Sequence, residues 1–202
     1  YEVINVYLSG PVDNPLAKQL PYRCVDEGDS GVKHDGRAIV KELQSVLRQE
    51  AGDVVIAHRY HTCKLAVRAS RGLSLKRKVA VFHGMGNLKR WRRKLFAWLF
   101  LRDWQFAGVS RAVVADIRGS GAVRINRLGV HHVRNGLDIK AIAAAQLDRK
   151  DARRRLGLPP EGFIFGHVGT LSDRKNQKTL ISAYACIAAS SPSSRLILIG
   201  KG

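Results

Sequence analysis

Short apolar runs alternate with amphipathic stretches from one end of the chain to the other. Val3–Leu8 (VINVYL), Asp53–Ala57 (DVVIA), Lys78–Phe82 (KVAVF), Gln105–Val109, Ala122–Leu128, Phe163–Val168 and Arg195–Ile199 (RLILI) have strand length and apolar character, which predicts strands. Helices are predicted between them. His34–Gln49 places Ile39, Val40, Leu43, Val46 and Leu47 on one face, and Tyr60–Arg71 and about Leu88–Asp103 follow. Ser110 and Asp138 stand where an N-cap would open the next two helices. Asn176–Ala189 then carries Leu180, Ile181, Tyr184 and Ile187 together. Strand and helix in alternation imply parallel pairing with helices on both faces, the doubly wound α/β class. Asn135-Gly136 marks a turn, and the polar run Asp148–Arg155 leads to Pro159-Pro160. The expectation is one partial domain over residues 1–150 and the beginning of a second over 151–202.

Composition alters this picture in one respect. The 202 residues are 45% apolar and 25% charged, as in an ordinary globular chain. The 35 Lys and Arg against 16 Asp and Glu, however, leave a formal charge of +19. Such a surplus attracts polyanions: nucleic acid, an anionic membrane surface or phosphorylated substrates. Cys24, Cys63 and Cys186 are odd in number, far apart and in no metal-ligand spacing, which reads as three free thiols in a reducing compartment. No apolar run reaches the roughly 20 residues of a membrane span. Tyr1 opens directly into a strand-like run with neither a starting Met nor a secretory signal, so a fragment is expected.

In open α/β sheets ligands collect at the carboxyl ends of strands, and two loops have that position. One is Gly169-Thr170-Leu171-Ser172-Asp173-Arg174-Lys175-Asn176. Gly169 allows close backbone approach, and the next helix offers free N–H groups. Arg174 and Lys175 at that end are unfavourable by a few tenths of a kcal/mol unless an anion such as a diphosphate joins them. A solvated turn with outward-pointing cations is the plainer alternative. The other loop is His83-Gly84-Met85-Gly86-Asn87, where two glycines permit approach and a histidine can hydrogen-bond a sugar hydroxyl or a phosphate. An incidental histidine in a glycine turn is equally compatible with the pattern. Neither loop has dinucleotide or P-loop spacing.

Lys76–Trp104 carries nine Lys or Arg against one acid, Asp103. Within its helix Trp91, Leu95, Trp98 and Leu99 form a stripe read as core. Phe96, Phe100 and Trp104 form a second stripe flanked by Lys89 and Arg93, suited either to an anionic bilayer or to burial between neighbours.

The run from Asn135 to Gly202 resembles the family-4 retaining glycosyltransferases. It carries an Asn-Gly-x-Asp turn, an Arg-x-x-Leu-Gly-Leu-Pro approach, a Val-Gly-x-Leu-x-x-x-Lys-Asn loop and a closing Leu-x-Ile-x-Gly-x-Gly strand. Upstream, FHGMGN and FAGVSRAVVADI are similar to the family's acceptor half, most like enzymes of lipopolysaccharide core or other cell-surface glycans. The resemblance implies a GT-B fold of two Rossmann-like domains. A nucleotide-sugar donor, UDP- or GDP-linked, lies on the second domain and a glycan or lipid-linked acceptor on the first. It also implies retention of anomeric configuration, usually without a metal or other cofactor. By residue-for-residue correspondence, Lys175 holds the donor diphosphate beside Gly169, and His83 lies near the transferred sugar, with Gly84, Gly86 and Asn87 in the acceptor loop. Asn135, Gly136 and Asp138 match the interdomain turn. Thr170 stands where the family often has arginine, and Arg174 is a substitute by charge alone. The family's paired glutamates are not among these residues, so residues 1–202 by themselves are expected to be inactive.

The implied setting is cytoplasmic, peripheral on the inner face of the membrane. Two other readings remain at this stage: a basic nucleic-acid-binding α/β protein, and a non-catalytic membrane-associated scaffold. The first lacks any helix-turn-helix, zinc or RNA-motif signature, so nucleic acid is not an expected partner.

Overall fold

Alternation along a strand decides which of its residues meet helices. In a computed structural model, residues 3–8, 22–24, 36–50, 52–122 and 129–202 are described, and they fall into two compact units, Tyr1–Gly136 and Leu137–Gly202.

The first unit is built on a parallel sheet of β3 (Val54–His58), β4 (Arg77–Phe82), β5 (Gln105–Gly108) and β6 (Val130–His132), paired in that order. A separate parallel pair, β1 (Asn5–Tyr7) and β2 (Tyr22–Cys24), precedes it. Val55, Ala57, Ala80, Phe82, Phe106 and Val130 alternate onto one face of the four-stranded sheet and are buried. Helices α2 (Arg59–Ala69), α3 (Trp91–Phe100) and α4 (Arg111–Gly119) supply Cys63, Ala66, Val67, Ala97, Val113, Val114 and Ile117 to the same cluster. Phe82 and Phe106 stack there at 5.9 Å. Helix α1 (Gly36–Gln49) packs Leu43 against Leu65 and Ala69 of α2, with Val6 and Leu8 alongside. Val54 and Ile56, on the other parity, are exposed.

The second unit holds α5 (Ile139–Ala144), α6 (Arg149–Arg155) and a parallel pair, β7 (Ile164–Val168) and β8 (Arg195–Ile199). A 3₁₀ turn (Asp173–Lys175) and α7 (Gln177–Ala188) connect the pair. Tyr184 of α7 sets its ring edge-on to Phe165 and donates its hydroxyl to Ser194 O at 3.0 Å. Buried Arg153 donates to the carbonyls of Pro159, Pro160 and Gly162, each at 2.8 Å, so one guanidinium gathers the Pro-Pro loop.

The expected caps form. Ser110 Oγ accepts from Val113 N–H at 3.2 Å and Asp138 Oδ1 from Ala141 N–H at 2.9 Å. The expected strand over Ala122–Leu128 falls mostly on residues 123–128, outside the described residues; β6 is described from Val130.

The core assignment of the first stripe on the third helix is overturned, and the second stripe does not hold together as one face. Trp104 is 1% exposed and belongs to the core, whereas Trp91, Leu95, Trp98 and Leu99 are exposed. The helix stops at Phe100, and the chain turns inward through buried Leu101. Trp104 therefore does not continue the spacing of Phe96 and Phe100. The buried side of α3 is centred on Ala97, a residue too small to register in a count of large apolar positions.

Candidate functional site

Each unit places one candidate loop at the carboxyl end of a strand. In the first, β4 ends at Phe82, and His83 opens the loop Gly84-Met85-Gly86-Asn87. Gly86 takes a positive φ of 76°, where a side chain would be strained, and its N–H donates to Asp116 Oδ2 at 2.8 Å. Asn87 Nδ2 donates back to Gly84 O, and Arg93 Nη1 donates to Asn87 O at 3.2 Å. Leu88 follows fully buried. The loop is thus tied to α3, to α4 and to itself. Gly84, by contrast, has nothing within 4 Å of where a Cβ would stand.

His83 has a neighbour that the sequence reading did not single out. Its Nε2 lies 2.8 Å from Nδ1 of His58, the last residue of β3, with the ring centroids 5.1 Å apart. One imidazole must donate and the other accept. Burial, and then the charge of His83, hold the His58 pKa below the ordinary histidine range. His58 therefore resists taking on a second ring proton. Directly after His58, Arg59 adopts φ 68°, a left-handed conformation that costs a non-glycine residue on the order of 1–3 kcal/mol. That strain sits at the strand-to-helix corner holding His58 against His83. A groove of about 530 Å³ runs along the exposed sheet face between Ile56, Val79 and Ala107, with His58 and His131 among its lining.

Arg93 serves this loop as well as its own helix. Besides bonding Asn87 O, its guanidinium lies 4.7 Å over the ring of Tyr60, which meets Phe96 edge-on at 5.7 Å. Phe96 is half-buried by this contact; Phe100 keeps more exposure, with Arg71 over its ring at 5.6 Å. Of the residues expected to meet a membrane, Trp104 is core, Arg93 and Phe96 are engaged internally, and Lys89 and Phe100 remain on the surface. Burial pushes the Cys63 thiol up to about 12 and it donates to Ala57 O at 3.4 Å, so it is no nucleophile.

In the second unit the loop after β7 extends the strand ladder. Gly169 N–H donates to Ile199 O and Leu171 N–H to Lys201 O, both at 2.8 Å. Gln177, at the start of α7, staples it: Nε2 donates to Thr170 O at 2.9 Å and Oε1 accepts from Ser172 N–H at 3.4 Å. Arg174 and Lys175 stand just ahead of α7. They occupy the 3₁₀ turn, and Asn176 at φ 52° reverses the chain before the helix begins. The Lys175 stem bends back over the loop, its Cε 3.8 Å from where a Cβ on Gly169 would stand. Gly169, Thr170 and Lys175 are thereby brought together, with Lys175 and Arg174 both exposed. Nearby, Nδ1 of His167 is buried with no partner.

Neither loop assembles a metal centre: among the described residues there is no group of three His, Cys, Asp or Glu able to hold an ion. Among them, too, no helix is long and apolar enough to cross a membrane.

Among the solved structures that share this fold are two glycosyltransferases. A glycosyltransferase from Rickettsia africae ESF-5 matches 98% of this chain and 60% of its own, with a TM-score of 0.64 at 11% identity. The apo form of the lipopolysaccharide outer core galactosyltransferase WaaB matches 94% of this chain and 48% of its own, with a TM-score of 0.51 at 17% identity. The chain thus spans about half to three-fifths of the length of the structures it matches. No protein-family model matches the sequence, and no curated protein does. The likeness establishes an α/β, GT-B-like fold.

Proposed function

We propose that the protein containing this chain is a glycosyltransferase that moves a sugar from a nucleotide-sugar donor to a glycan or lipid-linked acceptor. The observation that carries the reading is the match of nearly the whole chain, 98%, to a glycosyltransferase structure. The two strand-end loops supply chemistry in keeping with it. Lys175, bent over Gly169, offers an exposed cation, which suits a donor diphosphate, and Arg174 adds a second positive charge. His83, steadied by His58, suits a group that hydrogen-bonds the sugar or the acceptor hydroxyl.

The finer reading follows the family resemblance. The donor is UDP- or GDP-linked, transfer retains configuration without a metal, and the product is lipopolysaccharide or another cell-surface glycan. The enzyme works in the cytoplasm at the inner face of the membrane, where its positive charge is useful. To test this, the full protein is incubated with UDP- and GDP-sugars and a lipid-linked glycan fraction, and products are read by mass spectrometry. A mass increment of one sugar from one donor supports the proposal. No sugar transfer across the panel, with nucleotide binding also absent, refutes it. Residues 1–202 alone, lacking the family's paired glutamates, are expected to give no turnover.

A further inference from the structure

The face of α3 expected to be core lies in solvent, and its chemistry is unusual. Trp91, Leu95, Trp98 and Leu99 recur at i, i+4, i+7 and i+8, one stripe of a helix. They are 68%, 45%, 46% and 45% exposed. Around them Lys89, Arg90, Arg92, Lys94 and Arg102 are exposed as well. The helix itself has no acidic residue, and the first one after it, Asp103, is paired with Lys78. Arg92 lies 5.4 Å over the Trp91 ring, so even that exposed indole is edged by a cation.

We infer that this stripe is the surface by which the protein lies on an anionic lipid bilayer, with α3 in the plane of the interface. The inference deepens the membrane placement proposed above and does not depend on glycosyl transfer. Charge complementarity selects the occupant. Covering the stripe with another folded protein surface would strip water from five cations that lie in or beside a helix with no acidic residue, which is costly without paired acids. An acidic headgroup layer leaves those cations hydrated and paired while the indoles and leucines enter the acyl boundary. Nucleic acid would meet the cations but leave the leucines in water. A helix of this length, roughly 15 Å, fits the interface and cannot span. The helix also begins four residues after Asn87, and Arg93 ties it to that residue's carbonyl. Docking therefore brings the His83 loop to the headgroup level, where a lipid-linked acceptor would present its sugar.

The test is vesicle co-sedimentation of the full protein and of residues 1–202, using phosphatidylglycerol-containing and pure phosphatidylcholine vesicles. Brominated acyl chains quench tryptophans that insert. The expected result is binding to the anionic vesicles only, with part of the fluorescence quenched; Trp104 in the core stays bright and reports folding. Leu95→Ser with Leu99→Ser, and separately Trp91→Ser with Trp98→Ser, should lower partitioning by on the order of tenfold or more while circular dichroism stays unchanged. Arg92→Gln with Lys94→Gln should lower it too and weaken its salt dependence. Unquenched binding that moderate salt abolishes, or equal binding by the Ser variants, overturns the inference. So does a preference for duplex DNA over anionic vesicles that the Ser variants retain. Vesicle binding without any sugar transfer would sustain the docking surface and count against the enzymatic reading alone.

Discussion

Replacing Gly200 with alanine should disrupt the loop after β7, although Gly200 itself is exposed and belongs to neither candidate loop. A Cβ built on Gly200 falls 1.9 Å from Gly169 O and 2.9 Å from Gly169 C. Non-bonded carbon and carbonyl oxygen approach to about 3.3 Å, so the two chains must part by roughly 1.4 Å. The atom in the way is backbone and cannot rotate aside. At that separation the bonds from Gly169 N–H to Ile199 O and Leu171 N–H to Lys201 O, now 2.8 Å each, are lost. Two such bonds are worth about 1–3 kcal/mol together. Amide hydrogen exchange reads this locally: in Gly200→Ala the Gly169 and Leu171 amides should exchange roughly 5- to 150-fold faster. Gly84→Ala is the control, since nothing lies within 4 Å of its added carbon, and its effect should stay within about 0.5 kcal/mol. Unchanged protection of both amides in Gly200→Ala would refute the packing of β8's end against the Gly169 loop.

Three further outcomes follow from the same geometry. Lys175→Ala in the full protein should weaken titrated nucleotide-sugar binding by about 1.5–3 kcal/mol, the worth of one charge-assisted contact; unaltered affinity would remove Lys175 from the diphosphate. Arg153→Met should cost about 1.5–3 kcal/mol in urea unfolding by orphaning three carbonyls, and Arg153→Lys should not restore it, because an ammonium lacks the planar fork. The third concerns pH. His58 holds its proton less tightly folded than unfolded, so its contribution is present above the ordinary histidine value of about 6.5 and is lost as pH falls through the lowered folded value. Between about pH 7.5 and 5 the protein should lose more stability than His58→Asn, and parallel losses in the two would count against the coupled pair.

Much of the fold was legible because apolar runs and amphipathic stretches alternate cleanly, and because Ser110 and Asp138 act locally, within three residues of their partners. Counting by period failed at α3 for a physical reason. Its buried face is marked by Ala97, and its end by a turn that the spacing of Phe100 and Trp104 conceals. The polar staples were equally hidden. Asp116, Arg153 and Gln177 bond backbone atoms several to many residues away, and no residue type at the far end announces them. His58 and His83 are 25 residues apart and meet only because β3 and β4 pair in a register opposing His58 to Val81. At the second loop the residue types were legible, but the 3₁₀ turn that holds Arg174 and Lys175 and the left-handed Asn176 after it were not.

The order of the large sheet bears on how the chain reaches this state. Its strands lie side by side in the order of synthesis, β3, β4, β5, β6, with no later strand inserted between earlier ones. Each strand, on leaving the ribosome, meets an edge that its predecessor has already completed. Loops of some 20 residues are closed one at a time, so the entropic cost of non-local pairing is met in small instalments. The sheet can therefore assemble vectorially during translation, with one unpaired strand edge waiting at each stage for the next segment to emerge.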